Sequence, residues 1–375
     1  MRILINASNI KVGGALQVGS SLISSLIQND RGHEIYFVVS NCVMKQLPDL
    51  DGLDNLCCLD VKVSSPLGLI SARSKLDSLT REFRPDVVFS VFGPGYWRPS
   101  GVKHLVGFAN AWIVTPNTIA LKKLSLVQRL FTKFKYWILG SLLYNIDDFY
   151  VTETNVVKRL FCEKFNVKES RVDVVSNGLP YFFNHNSSNN ETKDLGFEGF
   201  KFLTVSHNYP HKNLDVIPLV GKELNARGVK CKFVVTFDSD TYESMTSEFK
   251  FHTINAGVVD QKDCRNLYQS CQALFLPTLI ECFTVSYLEA METCKPIVTS
   301  DLSFAHDICG DSAYYFDPLD VSSIANVCFD VINKYCDATM ESKLRSYHKK
   351  LSSFPDQEEK VDSYIAYMKK IITEY

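Results

Sequence analysis

Two carboxylates and a lysine carry the chemical interest of this chain. Glu281 and Glu289 stand with seven residues between them in the stretch Ala273-Leu-Phe-Leu-Pro-Thr-Leu-Ile-Glu281-Cys-Phe-Thr-Val-Ser-Tyr-Leu-Glu289. The stretch reads as a short apolar strand over Ala273 to Leu276, a loop from Pro277 to about Thr284, and a helix from about Ser286 to Cys294, stopped by Pro296. A helix start leaves backbone N–H groups without partners, and such groups seat phosphate. Carboxylates accept hydrogen bonds from sugar and ribose hydroxyls. Lys212, in His207-Asn-Tyr-Pro-His-Lys212-Asn213, is read at the start of another helix. A cation is unfavourable there unless an anion joins it. These three residues therefore point to a sugar, a ribose and the diphosphate between them.

Plainer readings exist for each. Ser286-x-x-Glu289 matches a capping box, in which Glu289 serves only its own helix. Glu281 is then a solvated loop acid and Lys212 a solvated base.

The surroundings add a resemblance. Pro277, the two glutamates, Phe283, Leu288-Glu289-Ala290-Met291, Lys295-Pro296-Ile297-Val298-Thr299-Ser300-Asp301, Gly310-Asp311-Ser312-Ala313 and Phe316-Asp317-Pro318 follow one another in order. Together with the Lys212 segment they resemble the E-x7-E and donor-phosphate motifs of group 1 (family 4) retaining glycosyltransferases. The C-terminal half resembles the family well and the N-terminal half more loosely. Cys282 and Thr284 stand where the family usually has glycine, Ser286 where it often has proline, and His207 near its usual arginine. The resemblance implies the α/β GT-B fold: two Rossmann-like domains facing each other across a deep cleft.

The elements that must position these residues alternate along the chain. Strands are read at Ile3–Ala7, Ile35–Ser40, Val87–Val91, His104–Ala109, Phe149–Thr152 and Val172–Val175. They recur at Phe202–Ser206, Lys232–Phe237, Ile254–Gly257, Ala273–Leu276, Ile297–Thr299 and Ala313–Phe316. Most are near-continuous apolar runs, as parallel strands covered on both faces require. Helical patterns lie between several, for example Ala15 to Gln28, which argues for open parallel sheets. The polar stretch at residues 185–192 marks a boundary, giving domains 1–185 and 186–355. The helical pattern of Asp356 to Tyr375 is expected, by resemblance, to pack back on the first domain. A helix running to about Ala226 is read as kinked at Pro218.

Several further residues are singled out. The first βα loop places Gly13-Gly14 at a helix start, either an anion cradle or a tight turn. The resemblance puts it on the acceptor side, with Asn110 and Trp112. Asn110 stands where many relatives carry a histidine, and His104 reads as a strand-edge residue. Thr152-Glu153-Thr154 either caps the next helix or lines the cleft. Thr236-Phe237-Asp238 is expected at the same cleft. For the donor, the resemblance assigns the diphosphate to Lys212, the ribose to Glu289 and the sugar to Glu281. His207, Asn208 and the backbone of Phe283, Thr284 and Val285 complete that site, and Val258 and Val259 lie near the base.

Residues 121–143 interleave Lys122, Lys123, Arg129, Lys133 and Lys135 with leucines and aromatics. This segment reads either as a helix lying on an anionic membrane surface or as a domain helix packing its apolar side inward. The resemblance favours the membrane, because many relatives glycosylate lipid-linked acceptors.

The chain has 375 residues, 46% hydrophobic and 22% charged, which suits two soluble domains. A net charge of −2 gives no reason to expect nucleic acid. The 12 cysteines show no zinc spacing, and no apolar run is long enough to cross a bilayer. The sequence as given opens on a strand without a leader, so the thiols are expected reduced and the protein cytoplasmic, at the inner face of the membrane. The expected function is retaining transfer from a UDP- or GDP-sugar to a hydroxyl acceptor, a lipid-linked precursor of bacterial O-antigen or capsule. No metal and no cofactor beyond the donor substrate is expected. A sugar-nucleotide 2-epimerase and a catalytically silent subunit supporting a partner are the alternatives.

Overall fold

The computed structural model describes residues 1–29, 31–47, 53–61, 65–94, 96–180, 183, 192–335 and 337–375. The chain divides into two compact units. The first holds Met1–Pro116, Thr132–Gly178 and Pro355–Tyr375, and the second holds Asn117–Phe131 and Leu179–Phe354. Residues 117–131, placed by sequence in the first domain, thus count with the second. Thr118 donates to the Leu279 carbonyl there (3.5 Å) and Lys123 pairs with Asp215 (2.9 Å).

The first unit is built on a parallel sheet. Its strands are β1 (Arg2–Ala7), β2 (Glu34–Val39), β3 (Leu56–Cys58), β4 (Val87–Ser90), β5 (Lys103–Phe108), β6 (Phe149–Thr152) and β7 (Val172–Val174). Their order is β3-β2-β1-β4-β5-β6-β7. The chain moves outward from β1 to β3, then returns to β4 beside β1. In parallel sheets, loops leaving the carboxyl ends at such a reversal diverge and leave room for a ligand. Strand β3 escaped the sequence reading because it has three residues and lies on the sheet edge, with no buried apolar run.

The second sheet repeats the plan with β8 (Phe200–Thr204), β9 (Cys231–Val235), β10 (Thr253–Asn255), β11 (Ala273–Leu276), β12 (Ile297–Ser300) and β13 (Ala313–Phe316). Its order is β10-β9-β8-β11-β12-β13, so the reversal lies between β8 and β11. Every residue of β11 and β12 is buried, which explains their unbroken apolar character.

The C-terminal helix, Gln357–Glu374, starts with a full capping box between Asp356 and Glu359. It buries Val361, Tyr364, Ile365, Met368 and Ile371 in the core of the first unit beside β1 residues. Lys360 is buried with it. Its ammonium donates to Asn177 Oδ1 (2.5 Å), and Asn177 Nδ2 donates to Glu153 (2.5 Å). Burial pulls Lys360 down to about 8, and the Glu153 carboxylate opposes that shift. Thr154 caps the helix Asn155–Phe165 through the Val157 N–H, so this trio is capping and core structure.

Gly178 ends the first unit's central segment and abuts Pro355, where the chain returns. A Cβ on Gly178 would lie 1.8 Å from the Pro355 carbonyl oxygen. Gly178→Ala is therefore expected to destabilise the protein by about 1–3 kcal/mol, by forcing two backbone segments apart. A thermal melt unchanged from wild type would contradict that.

His104 is not a strand-edge residue. It lies buried on β5, which is flanked by β4 and β6, with Ser90 Oγ 3.0 Å from Nε2 and Asp148 3.3 Å from Nδ1. Arg98 donates to the same aspartate (2.8 Å). Pro218 does not kink a helix. It occupies the first turn of Ile217–Ala226, where a missing N–H costs nothing.

Candidate donor site in the second unit

The loops that follow β8 and β11 flank the reversal of the second sheet, and they carry the sequence's candidate residues. The β8 loop ends in a 3-10 turn, Pro210–Lys212, followed by Asn213 in the left-handed region at φ 58°. Asparagine tolerates that conformation, and its amide donates to the Pro318 carbonyl (2.9 Å). The turn is tied to the β11 loop at two points. The Leu279 N–H donates to the His211 carbonyl (2.8 Å), and Thr278 Oγ1 reaches the same oxygen (3.3 Å).

This stitching brings Lys212 and Glu281 together. Lys212 Nζ lies 2.5 Å from Glu281 Oε1, with both side chains mostly shielded from water. Thr278 Oγ1 donates to the same carboxylate oxygen (2.9 Å). Glu281 is thus a partnered residue and not a solvated acid. Lys212 also corrects the reading that placed it in the first turn of an α-helix. That helix starts at Ile217, and Glu281, not a helix dipole, is the charge that Lys212 meets. His211 is held neutral beside the pair: burial lowers it to about 4, against the pull of Glu281. Its ring stacks on Tyr209 at 5.6 Å.

Glu289 does not form the capping box. Val285 is the N-cap of the helix Ser286–Glu292 and no side chain caps it. Glu289 is buried instead, and the Tyr268 hydroxyl donates to its Oε2 (2.9 Å). Burial pushes Glu289 up to about 7, and the Tyr268 hydrogen bond partly offsets the shift. The helix stops two residues before the expected Cys294, which takes a left-handed φ of 51°.

The remaining residues separate. Cys282 is buried, so its side chain is not presented to solvent in place of the family's glycine. Phe283 packs against Phe354 at 6.1 Å, while Thr284 and Val285 are half-buried beside the helix start. His207 and Asn208 are exposed in the β8 loop, with the Asn208 amide directed at Met245 Sδ (3.4 Å). Val258 is exposed and Val259 half-buried after β10, the edge strand. Thr236, Phe237 and Asp238 do structural work. Thr236 Oγ1 accepts from the Ser206 N–H, Phe237 lies in the core, and Asp238 caps Ser239–Glu243.

Gly13, Gly14, Asn110 and Trp112 all lie in the first unit. Gly13 opens the helix Gly13–Gln28 at φ 69°, a conformation that requires glycine. Nothing lies within 4 Å of where a Cβ would stand on Gly13 or Gly14. Asn110 precedes the short helix Ala111–Val114 without capping it, and its Oδ1 is buried without a partner. Trp112 stacks on Tyr136 at 5.9 Å.

Asn9 was not singled out from sequence. Its Nδ2 bridges from the β1 loop to the Phe92 (2.7 Å) and Pro94 (3.3 Å) carbonyls after β4, and its Oδ1 is buried without a partner. Its place in the first βα loop was the available signal. Tyr268 and His211 were also missed as site residues. Tyr268 is brought to Glu289, and His211 to Glu281, only by the fold, and nothing in the local sequence pairs them. Among the described residues no group of three or more His, Cys, Asp and Glu side chains is placed to hold a metal ion.

Residues 188–350 match the family model described as "Glycosyl transferases group 1". A stretch of 187 residues is 23% identical to the O-antigen chain mannosyltransferase RfbU of Salmonella typhimurium, covering 46% of this chain and 48% of that protein. The chain thus spans about half the length of the curated relative it matches. Among solved structures, a glycosyltransferase from Rickettsia africae matches at 13% identity and a TM-score of 0.74, over 100% of this chain and 99% of that one. HepE from Anabaena, in complex with UDP and glucose, matches at 13% identity and a TM-score of 0.71, over 99% and 100%. Sucrose-phosphate synthase from Thermosynechococcus elongatus matches at 11% identity and a TM-score of 0.69, over the whole of both chains. The chain therefore has the GT-B fold of two Rossmann-like, parallel-sheet domains. Its resemblance to group 1 glycosyltransferases holds through the segment that carries Lys212, Glu281 and Glu289.

Proposed function

We propose that this protein is a glycosyltransferase that moves a sugar from a nucleotide diphosphate sugar to an acceptor hydroxyl with retention of anomeric configuration. The observation that carries the reading is the Lys212–Glu281 pair at the reversal of the second sheet, with buried Glu289 on the helix that follows the same loop. Lys212 binds the diphosphate and stabilises charge that develops on the leaving group. Glu281 contacts the donor sugar. Glu289 accepts hydrogen bonds from the ribose, and the backbone at Phe283 to Val285 completes the phosphate site. His207, Asn208, Val258 and Val259 border the donor, and Gly13, Gly14, Asn110 and Trp112 serve the acceptor. The leaving phosphate takes the acceptor's proton, so this mechanism asks for no protein base, metal or further cofactor. The donor is a UDP- or GDP-sugar, and the UDP and glucose bound to the Anabaena neighbour support a nucleotide sugar of this kind. The acceptor is a lipid-linked glycan precursor of a bacterial surface polysaccharide, a reading supported by the O-antigen mannosyltransferase relative.

Calorimetric titration with UDP, GDP and dTDP tests the donor site. One nucleotide is expected to bind in the micromolar to submillimolar range. If none binds to the folded protein at millimolar concentration, the transferase reading loses its basis.

A further inference from the structure

A chain of hydrogen bonds crosses the interior of the first unit on one face of its sheet. Side chains alternate along a strand, so Asn6 on β1 and Ser90 on β4 share the face of Leu4 and Val88, which pack with Leu76, Leu79 and Trp97. Asn6, Ser90, His104 and Asp148 are each no more than 5% exposed. Polar side chains in such a place cost desolvation, which is offset only when each of them is hydrogen-bonded. Here each is, and in one direction. The Asp148 carboxylate can only accept. It takes Arg98 Nε–H at one oxygen (2.8 Å) and meets His104 Nδ1 at the other (3.3 Å). With its proton on Nδ1 the neutral ring offers Nε2 as an acceptor, and the Ser90 hydroxyl donates to it (3.0 Å). Ser90 Oγ accepts in turn from Asn6 Nδ2 (3.5 Å). That turns Asn6 Oδ1 to Ser8, whose hydroxyl (2.6 Å) and backbone N–H (3.2 Å) both donate to it. The chain thus runs from the exposed Arg98 to the first residue after β1.

We propose that Arg98, Asp148, His104, Ser90 and Asn6 are positioning residues for the foot of the first βα loop, Ser8 to Ile10. Ser90, His104 and Asp148 touch in the order of an acyl-transfer triad, but Ser90 is fully buried, so no substrate meets its hydroxyl. What the chain does reach is Ser8, where β1 ends beside the reversal of the first sheet. The next two residues are tied separately. Asn9 donates to the Phe92 and Pro94 carbonyls, and the Ser40 hydroxyl donates to the Ile10 carbonyl. Beyond them Lys11 to Gly14 are exposed, and the chain enters its first helix at Gly13. The foot therefore sets where that exposed stretch leaves the sheet. An apolar filling would pack the same space without fixing Ser8. A satisfied polar chain with a set proton direction fixes one orientation of each ring and amide along it. That the loop serves the acceptor rests on the reading above, whereas the positioning rests on the contacts alone.

Nuclear magnetic resonance of the full chain, labelled with nitrogen-15 histidine, tests the direction of the chain. His104, assigned by the signal that His104→Gln removes, is expected to carry its proton on Nδ1 and none on Nε2 at about pH 8. A proton on Nε2 would reverse the Ser90 bond and overturn the inference. Amide exchange tests the positioning. Ser90→Ala should speed exchange of the Ser8 N–H at least tenfold relative to Val88→Ala, which thins the same face of the same strand and leaves the polar contacts in place. The amide of His104→Gln can still donate to Asp148 and accept from Ser90. It should keep the protection at Ser8 that His104→Leu loses. If exchange at Ser8 merely follows global stability across the four variants, as denaturant melts report it, the chain has no positioning role and the inference fails. None of these readouts needs nucleotide or acceptor. Failure here leaves the donor site standing, and a failed nucleotide titration leaves the positioning standing.

Discussion

Lys212→Ala is expected to weaken nucleoside diphosphate binding by roughly two orders of magnitude, the usual consequence of truncating one partner of a shielded charge pair. The companion variant separates this site from a simple ion pair. Lys212 holds Glu281 at 2.5 Å, so an incoming diphosphate must share the ammonium with a carboxylate that repels it. Glu281→Gln removes that competition and leaves Lys212 free to meet the phosphates. Nucleoside diphosphate should then bind as well as before or up to about tenfold more tightly, while sugar transfer falls about a hundredfold or more. The two substitutions thus move product affinity in opposite directions and activity in the same direction. Calorimetry and a transfer assay on both variants provide the measurements, with circular dichroism to confirm folding. Equal loss of nucleotide affinity in both variants would mean that the pair is a structural unit and would sink the assigned roles.

Glu289 predicts a pH dependence with a definite sign. Burial raises its carboxyl to about 7, so at pH 6 only about a tenth of the free protein carries the charge there. Ribose hydroxyls donate hydrogen bonds and favour the carboxylate. Nucleotide affinity should therefore rise about tenfold from pH 6 to pH 8 and level off above, with a proton released on binding. Titration in buffers of different ionisation enthalpy measures that proton directly. Glu289→Gln should flatten the profile and weaken binding at pH 8. Tyr268→Phe removes a hydrogen bond that favours the charged form, so it should move the midpoint upward. A profile that Glu289→Gln leaves unchanged would assign the titration elsewhere.

The same group acts on stability. Its folded-state value lies above its ordinary 4.5, so the folded state holds the proton more tightly than the unfolded chain does. The associated stability is present below about pH 4.5 and is lost as pH rises through about 7. Over that window the loss is at most about 3 kcal/mol. Denaturant melts of the ligand-free protein at pH 5 and pH 8 should show a slope that Glu289→Gln removes.

Much of the fold was legible because its strands carry a one-dimensional signal. β6, β11 and β13 stand at the bounds their apolar runs mark, and β1, β4, β5 and β12 differ by a residue or so at an end. Strands buried on both faces need apolar residues at nearly every position, and this is visible without any partner. β3 had no such requirement. The two glutamates and Lys212 were legible as types and spacings within single loops. Their partners were not. Tyr268 lies 21 residues before Glu289, and Lys212 lies 69 residues before Glu281. The first exists only after the elements on either side of β11 have packed together, and the second only after β8 and β11 have become neighbours in the sheet. Ser286-x-x-Glu289 matches a capping box by spacing, yet the burial of Glu289 against Tyr268 decided otherwise.

By itself, then, the sequence determined the alternation of elements, the parallel sheets and the residue types on the β8 and β11 loops. Local propensity and the apolar demand of doubly covered strands suffice for these. Only the tertiary structure decided which charges meet, how far burial shifts Glu289, and that Leu126, Leu130, Phe134 and Trp137 of the basic aromatic helix stay exposed. Those outcomes depend on which surfaces the packed elements leave uncovered. A helical repeat specifies an apolar arc but not what will cover it.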